Sequence, residues 1–300
     1  MTPELLQTAL ARALASIASA RGIDSDRIPE PTLRRGQTPR HGHWVSPIAL
    51  RSAGAVHTDS RSLAVEIASR LHDDASIAEV EVAGPGFLNI TLTPSALAVI
   101  AADIVAADDH FGPEQGVAAR IDAIIDERIS SSTERQPRQQ TMGTDIRRYM
   151  AAREIPASAH LPDARQWRRA HPDNPVHFVQ VTHAAACRIR RRAAAAGIDG
   201  WAFDPTALSD DTETALAAAL ADFIATTARA ASAGEPQRIA FLLEAVSQLF
   251  LDWTQSCPVT PTLDEDITRL HASRLVLDRA AIIVLATGLS LLGVSAPERM

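Results

Sequence analysis

The chain has 300 residues, of which 46% are hydrophobic and 22% are charged. This composition is typical of a globular protein that is long enough for two domains. Apolar runs stay shorter than the ~18 residues of a membrane span, and an acidic residue stands near the N-terminus where a signal peptide carries basic ones. We therefore expect a cytoplasmic protein without membrane partners.

Charge is distributed unevenly along the chain. All 29 basic residues are arginine, and the formal net charge is −7. Ten arginines stand against five acids from Asp145 to Gly200, whereas two arginines stand against eleven acids from Trp201 to Thr268. Net acidity weakens indiscriminate attraction to nucleic acid but leaves a local basic patch usable. We expect no DNA partner.

The first third of the sequence predicts the order helix, loop, helix, strand, turn, strand, helix. Apolar residues at helical spacing predict a helix over Pro3–Arg21 that stops at Gly22, and a Pro-rich loop follows to His43. The other predicted elements are a helix over Ser60–Leu71, strands over Ala78–Ala83 and Phe87–Leu92 joined by Gly84-Pro85-Gly86, and a helix that starts at Thr93-Pro94.

The rest of the sequence predicts helices. A short helix is expected over Val117–Ile129, a flexible loop over Ser130–Gly143, and long helices near 174–197, 210–232, 236–256 and 264–288. The apolar stripes predicted for the last three are Leu216, Leu220 and Phe223; Leu242, Ala245, Leu249 and Trp253; and Leu275, Ile282, Leu285 and Leu289. The predicted fold is an α+β N-terminal domain (1–112), a connector (113–144) and an all-α helical bundle (145–300).

The stretch His171–Arg192 predicts a helix with a basic end. Pro172 and Pro175 exclude a helix through that point, and Asp173 or Asn174 can cap the next one. Four arginines close the run: Arg188, Arg190, Arg191 and Arg192. A solvated helix end that suits the macrodipole accounts for such charges, and a phosphate-facing surface accounts for them as well.

Several segments of the second half resemble the anticodon-binding domain of arginyl-tRNA synthetases. NPVHFVQVTHAAACRI (174–189) resembles the NPVYYVQYAHARICSI-type helix of that family. MGTDIRRYM (142–150) resembles its IGADALRYF segment, for which the domain is called DALR. RIAFLLEAVSQLFLDWTQSCPV (238–259) resembles RLARYLYDLAKAFHSFYNACRV, and GLSLLGVSAPERM (288–300) resembles GLDLLGISAPERM. The resemblance implies a helical anticodon-binding bundle over roughly 142–300.

The first part of the chain resembles the N-terminal additional domain of the same synthetases. EVAGPGFLNITL (81–92) is similar to that domain's EVAGPGFLNFRL, and 41–71 is similar to it less closely. The resemblance implies contact with the tRNA D-loop through Phe87 and Asn89. An aromatic face and an amide edge suit an unpaired base. By themselves, the residues also fit a core phenylalanine and a polar residue beside a turn.

The resemblance further implies an anticodon-loop site. By position, this site comprises Val181, His183, Arg188, Trp253, Arg299 and Met300. Val181 stands where the family has a tyrosine, so one stacking contact is lost or is replaced by nearby His177. We expect Arg190, Arg191 and Arg192 to contact phosphates.

No catalytic constellation is recognised in the sequence. The family's nucleotide-binding domain, with HIGH-type and KMSK-type signatures, would lie between the two similar regions. Only Pro113–Thr144 stands there, and the chain has no lysine. These 32 residues cannot build several βαβ units of ~30 residues each. We therefore expect no enzyme and no cofactor.

Other reactive side chains are expected to be structural. His41, His43 and His57 lack a carboxylate or cysteine at ligand spacing, so no metal site is predicted. Cys187 and Cys257 lie far apart within helical patterns and are expected to be buried apolar residues. Asp210–Glu213 is typical of a helix start rather than of paired catalytic carboxylates.

Three functions are compatible with these features. The preferred hypothesis is a non-catalytic tRNA-binding protein that engages tRNA-Arg and presents it to a separate tRNA-using enzyme. The second is a protein-interaction subunit that has lost RNA binding, which the acidic Trp201–Thr268 segment and Val181 favour. The third is an enzyme or enzyme subunit acting on arginyl-tRNA, for which the residues offer no nucleophile or base.

Overall fold

The computed structural model describes residues 1–24, 28–36, 41–133, 143–153, 174–262 and 265–300. The chain divides into two compact units, Met1–Ile100 and Ala101–Met300. The domain limits expected from the sequence, at 112 and 145, stay predictions. Most of the predicted Ser130–Gly143 loop lies outside the described residues.

The first unit combines helices with one sheet, which confirms the predicted α+β class. Its elements are α1 (Pro3–Ala20), β1 (Arg34–Arg35), β2 (Trp44–Ser46), α2 (Ile48–Ser52), α3 (Ser60–Leu71), β3 (Ile77–Ala83), β4 (Phe87–Leu92) and the start of α4 (Pro94–Ala107). Helix α1 ends at the predicted stop, where Gly22 has a φ of +67°. Helices α1 and α2 pack on α3, and α3 packs on β3 and β4.

The four strands form one antiparallel sheet in the order β1-β2-β4-β3. Strands β3 and β4 confirm the predicted hairpin. The sequence predicts a loop at β1 and no strand at β2, and both predictions were wrong. Strands of two and three residues are too short to show alternation. Strand β2 exists because it pairs with β4, with Trp44 opposite Ile90.

The core of the first unit lies between the sheet and its helices. Trp44, Leu88 and Ile90 are buried on the sheet, and leucines and isoleucines of α1 and α3 are buried against the same core. Full burial of one such side chain contributes ~1.5–3 kcal/mol. Asn89, which lies between Leu88 and Ile90 on β4, consequently faces away from this core.

The described regular elements of the second unit are helical, which confirms the predicted helical bundle. After the end of α4 they are α5 (Val117–Thr133), α6 (Thr144–Arg153), α7 (Pro175–Ala195), α8 (Asp211–Ala221), α9 (Phe223–Ala233), α10 (Gln237–Ser256) and α11 (Arg269–Leu291). Short 3-10 turns lie at Asp108–His110, Gly200–Ala202 and Pro205–Ala207. Helix α10 contacts α6, α7, α8, α9 and α11 and is therefore the central helix of the unit.

The buried stripe of α10 differs from the predicted one. Leu242 and Leu249 are half-buried and Ala245 is exposed, so only Trp253 of the predicted stripe was correct as a core residue. The buried stripe consists of Ile239, Leu243, Val246, Phe250 and Trp253. Apolar residues occupy adjacent faces of this helix, so its periodicity fits either stripe. Packing by neighbouring helices selects one, for example where Gly288 of α11 approaches Leu243.

Two predicted helix limits were wrong. The single helix expected over 210–232 is divided into α8 and α9 at Asp222, whose carboxylate accepts a hydrogen bond from Thr226 Oγ1 at 3.0 Å. Such side-chain bonds compete with the helical backbone. The last helix starts at Arg269 rather than at 264, because Thr268 and His271 form a capping box there. Residue 264 itself lies outside the described residues.

Candidate nucleic-acid interface

Helix α7 carries most of the residues that the sequence assigns to an RNA site. Asn174, one of the two predicted caps, begins the helix: its Oδ1 accepts the backbone N–H of Val176 at 3.2 Å and of His177 at 3.4 Å. Pro175 occupies the first turn, where the N–H that proline lacks is not needed. The other predicted cap, Asp173, lies outside the described residues.

One face of α7 is open and basic. At 3.6 residues per turn, His177, Val181, Arg188 and Arg192 fall within about 60° around the helix axis and extend ~22 Å along it. Arg188 and Arg192 are exposed, Val181 is 39% exposed and His177 is half-buried. We call these four residues the α7 stripe.

The C-terminal segment, Ser295–Met300, lies along α7 beside this stripe. Gln180 Nε2 donates to the Ser295 carbonyl at 3.0 Å and to Asp145 Oδ2 at 2.9 Å. The Ser295 hydroxyl also donates to Asp145. His183 Nδ1 lies 2.9 Å from the Pro297 carbonyl, and since a carbonyl can only accept, the imidazole N–H donates. These bonds join α6, α7 and the C-terminal segment.

The arginines that end α7 differ in their partners. Arg190 Nη2 lies 3.5 Å from Glu298 Oε1, and both terminal nitrogens of Arg191 donate to the Glu298 carbonyl at 3.3 Å. The side chains of Arg188 and Arg192 form no hydrogen bond or ion pair within the described ranges. Two guanidinium groups are thus available to a phosphate, while the other two would first have to leave Glu298.

The imidazole beneath the C-terminal segment does not activate a nucleophile. His183 Nε2 lies 3.8 Å from Cys187 Sγ and can accept a hydrogen bond from the thiol. Burial lowers the pKa of His183 and raises the pKa of the Cys187 thiol, and both shifts oppose proton transfer between them. The pair stays neutral. Cys187 and Cys257 are both buried and free, as predicted.

Asp278 of α11 is buried where α11 packs on α7. Neither of its carboxylate oxygens has a hydrogen-bond partner in the part of the chain that the structure describes. Burial raises the pKa of this carboxyl well above its ordinary range, and the Arg190 guanidinium opposes the shift. The uncharged carboxyl adds no negative charge beneath the arginines.

The remaining residues of the predicted anticodon-loop site are separated by burial. Arg299 and Met300 are exposed at the end of the C-terminal segment, whereas His183 is buried beneath it. Trp253 is fully buried in the core, with its ring centroid 5.5 Å from that of Phe250. Contact between Trp253 and RNA would require the surrounding helices to separate.

Phe87 and Asn89 of the first unit lie on the same face of β4, because residues two apart on a strand point the same way. Phe87 is 38% exposed, whereas Asn89 is 5% exposed and its Nδ2 donates to Glu81 Oε2 at 3.3 Å. Gly86, directly before Phe87, packs closely on the start of α3: its φ is +135°, and a Cβ there would lie 2.7 Å from the Ser60 carbonyl oxygen. The Phe87 ring is available for stacking. The Asn89 amide would have to give up its hydrogen bond to Glu81 in order to bind a base.

Several histidine and acidic side chains that could carry chemistry have structural roles instead. His43 Nδ1 accepts the Leu92 N–H at 3.0 Å, and burial together with the nearby Arg35 lowers its pKa to about 4. Asp210 and Glu213 form the capping box of α8, which confirms the predicted helix start. Within the described residues, no group of three or more His, Cys, Asp or Glu side chains could hold a metal ion, and no helix is long and apolar enough to cross a membrane.

Sequence reasoning missed three polar residues that organise this surface. Gln180 and Asp145 hold the C-terminal segment on α7, and Glu298 contacts two of the arginines that end this helix, Arg190 and Arg191. All three lie within the segments that carry the family resemblance. Gln180 was the available signal in the sequence. It is a polar residue that faces inward on an amphipathic helix, and such a residue needs a hydrogen-bond partner.

Two family models match the chain. Residues 4–92 match the arginyl tRNA synthetase N terminal domain, and residues 179–300 match the DALR anticodon binding domain. The first match contains the β3–β4 hairpin with Phe87 and Asn89. The second contains most of α7 and the C-terminal segment.

Relatives among curated proteins are arginine–tRNA ligases. The ligase of Renibacterium salmoninarum is 43% identical over 159 residues, which are 53% of this chain and 29% of the relative. That of Kineococcus radiotolerans is 43% identical over 162 residues, which are 54% of this chain and 29% of the relative. The match thus spans less than a third of the length of these ligases.

Solved structures with a similar fold are also synthetases. The Thermus thermophilus arginyl-tRNA synthetase aligns with a TM-score of 0.62 at 13% identity, covering 100% of both chains. The Plasmodium falciparum enzyme aligns with a TM-score of 0.56 at 8% identity, covering 99% of both. At such identities the likeness concerns the fold alone. The two family models lead to one conclusion: this chain contains an arginyl-tRNA synthetase N-terminal domain and a DALR anticodon-binding domain.

Proposed function

We propose that this chain binds tRNA without aminoacylating it, that it recognises tRNA-Arg through the D-loop and the anticodon loop, and that it presents this tRNA to another enzyme. The observation that carries the proposal is the pair of matched domains, since one of them is an anticodon-binding domain. The relatives are ligases specific for arginine, which supports tRNA-Arg as the partner.

The proposed lack of aminoacylation rests on the interval between the matched domains. This interval runs from residue 93 to 178. A nucleotide-binding α/β domain needs several βαβ units of ~30 residues each, whereas the described elements of the interval are helical. The chain also has no lysine, so a KMSK-type loop cannot supply its lysine.

The α7 stripe supports the anticodon-loop part of the proposal. Arg188 and Arg192 offer two exposed guanidinium groups without protein partners among the described residues, and Arg299 and Met300 lie exposed nearby on the C-terminal segment. We propose that Arg188 and Arg192 bind phosphates directly, and that Arg190 and Arg191 do so by exchanging Glu298 for a phosphate. His177 is the proposed substitute for the stacking tyrosine that Val181 replaces.

The exposed ring of Phe87 supports the D-loop part. We propose that a D-loop base stacks on this ring and that Asn89 binds the base edge after leaving Glu81. Base stacking on an aromatic side chain is worth ~1–3 kcal/mol, so the first unit adds affinity without supplying most of it.

A protein-interaction subunit that no longer binds RNA is the second candidate. The observation that favours it is the loss of aromatic side chains from the proposed anticodon site, since Val181 cannot stack and Trp253 is buried. This candidate predicts no saturable tRNA binding at moderate salt.

The two candidates separate in one binding experiment. The purified chain is mixed with unfractionated tRNA, complexes are retained on a filter, and the retained tRNA is sequenced. We expect saturable binding with enrichment of tRNA-Arg, and no arginine-dependent pyrophosphate exchange or aminoacylation above a mock purification. Retention without enrichment would contradict recognition of tRNA-Arg, absence of retention would favour the protein-interaction subunit, and measurable aminoacylation would contradict the non-catalytic role.

A further inference from the structure

Trp201 is the most exposed large apolar side chain of the described residues. Its side chain is 94% exposed, whereas the next most exposed members of this class are between half and two-thirds exposed. Trp201 lies in the 3-10 turn Gly200–Ala202, which follows α7 directly. An indole offers ~150–250 Å² of surface, so leaving one in water forgoes a large contribution to stability.

The backbone around Trp201 is fastened to the bundle on both sides. Before it, the Ile198 N–H donates to the Ala193 carbonyl of α7 at 3.0 Å, and Asp199 caps the turn by accepting the Trp201 N–H at 3.2 Å. After it, Asp204 and Ser273 of α11 exchange two hydrogen bonds of 2.9 Å each. The exposed indole therefore stands on a fixed platform rather than on a free loop, and a partner that stacks on it would order little backbone.

An unpaired cation lies beside this platform. A Cβ built on Gly200 would lie 3.8 Å from Arg279 Nη1. In the ranges that the structure describes, the Arg279 guanidinium forms no hydrogen bond or ion pair. The nearby carboxylates are already engaged, since Asp199 accepts the Trp201 N–H and Asp204 lies 3.7 Å from Arg269. Arg192 occupies the last turn of α7, just before the platform.

We propose that Trp201 and Arg279 form a nucleotide-stacking site, in which an unpaired base of the bound RNA stacks on the indole and Arg279 contacts the adjacent phosphate. This proposal rests on the proposed tRNA binding and extends it beyond the α7 stripe. Stacking on an aromatic beside an arginine is how single-stranded nucleic acid is held without dependence on sequence. A protein-docking surface would instead present a contiguous apolar patch, whereas the exposed sequence neighbours of Trp201 are Asp199 and Ala202.

The test compares variants of the full chain in equilibrium filter binding to unfractionated tRNA. We expect Trp201→Ala to raise Kd roughly 5- to 100-fold, which is the effect of removing one base-stacking aromatic. Trp201→Phe should stay within about threefold of the unsubstituted chain, because it keeps an aromatic face. Arg279→Gln should flatten the slope of log affinity against log salt by about 0.7, the contribution of one phosphate on a single strand.

Phe241→Ala is the matched control, because Phe241 is an aromatic residue of the same unit, is half-exposed, and lies beneath Arg153 rather than beside an unpaired cation. We expect it to bind tRNA like the unsubstituted chain.

The melting temperature of Trp201→Ala should not change, since the indole buries almost nothing. Unchanged tRNA affinity in Trp201→Ala, or an equal loss in Trp201→Phe, would overturn the stacking site while tRNA binding stands. Absence of binding by the unsubstituted chain would overturn both.

Discussion

His43 is half-buried in the first compact unit and Asp278 is fully buried in the second; the pKa of His43 is lowered, whereas the pKa of Asp278 is raised. Burial favours the neutral form of each, which is the unprotonated imidazole of His43 and the protonated carboxyl of Asp278. His43 has a hydrogen-bond partner that needs the neutral ring, whereas Asp278 has none among the described residues. The two residues therefore affect stability in different pH ranges.

We expect the stability of His43→Asn to fall less at acidic pH than that of the unsubstituted chain. The pKa of His43 is about 4 in the folded protein and 6.5 for the ordinary side chain, so the unfolded chain binds the proton more readily between these values. The stability that His43 contributes is complete above pH 6.5 and is lost as pH falls towards 4, by roughly 2–3 kcal/mol. Asparagine keeps an acceptor for the Leu92 N–H and does not titrate. Urea unfolding at several pH values should give a flatter dependence for the variant, and parallel curves would exclude His43 as the cause.

The expected effect of Asp278→Asn lies at neutral and higher pH. Because the folded pKa of Asp278 is raised, the stability associated with its neutral form is complete below the ordinary pKa and falls as pH rises towards the folded value. Asparagine stays neutral at all pH values. We therefore expect the variant to unfold at higher urea concentration than the unsubstituted chain at pH 7, with no difference near pH 4. A variant that is less stable at pH 7 would contradict this.

At the scale of single elements, α7 and the C-terminal segment act together. Gln180 and His183 hold the segment by its carbonyls, and Glu298 is thereby placed against Arg190 and Arg191. Glu298 thus competes with any phosphate for these two arginines, whereas no carboxylate among the described residues pairs with the arginines of the α7 stripe. Exposed ion pairs contribute little to stability, so an RNA phosphate could displace the Glu298 carboxylate readily.

Two double variants should separate the roles of the arginines. We expect Arg188→Gln with Arg192→Gln to flatten the slope of log tRNA affinity against log salt by about 1.4, if each contacts one phosphate. The melting temperature should not change, since neither side chain has a partner among the described residues. Arg190→Gln with Arg191→Gln should lower the melting temperature by a small amount, chiefly because the hydrogen bonds from Arg191 to the Glu298 carbonyl are lost.

Glu298→Gln is the control for competition. It removes the carboxylate charge while leaving the main-chain carbonyl that Arg191 contacts. We expect it to tighten tRNA binding and to steepen the salt slope, because Arg190 is released. Equal salt slopes for both double variants and the unsubstituted chain would show that the four arginines at the end of α7 do not contact phosphates.

At the scale of the whole molecule, each compact unit contains one matched domain and at least one proposed contact with tRNA. The exposed ring of Phe87 belongs to the first unit, and the α7 stripe belongs to the second. If the two units bind different parts of one tRNA, their contributions to the binding free energy should add.

We expect Phe87→Ala to weaken binding of full-length tRNA by about 1–3 kcal/mol, because one stacked base is lost. The same variant should bind an isolated anticodon stem-loop like the unsubstituted chain, since that RNA has no D-loop. The Arg188 and Arg192 double variant should bind both the full-length tRNA and the stem-loop more weakly. Competition filter binding measures these differences. A loss of stem-loop binding in Phe87→Ala would mean that the substitution disturbs the fold or that Phe87 contacts another part of the RNA.

Local physics let the sequence by itself determine much of this protein. Helical periodicity located α1, α3 and α7, alternation around Gly84-Pro85-Gly86 located the hairpin, and a polar cap followed by proline located the start of α7. These signals are local because they depend on residues within one or two turns of each other. The family resemblance had the same basis, in contiguous motifs.

Only the tertiary structure decided what lies at the surface. Leu242 and Leu243 of α10 are equally apolar, and the neighbouring helices determine which is buried. Of two tryptophans, Trp253 is enclosed in the core and Trp201 stands in solvent. Of the arginines ending α7, Arg190 and Arg191 contact Glu298, and the others do not. The physical reason is that exposure and charge pairing depend on residues distant in sequence, which no local pattern specifies.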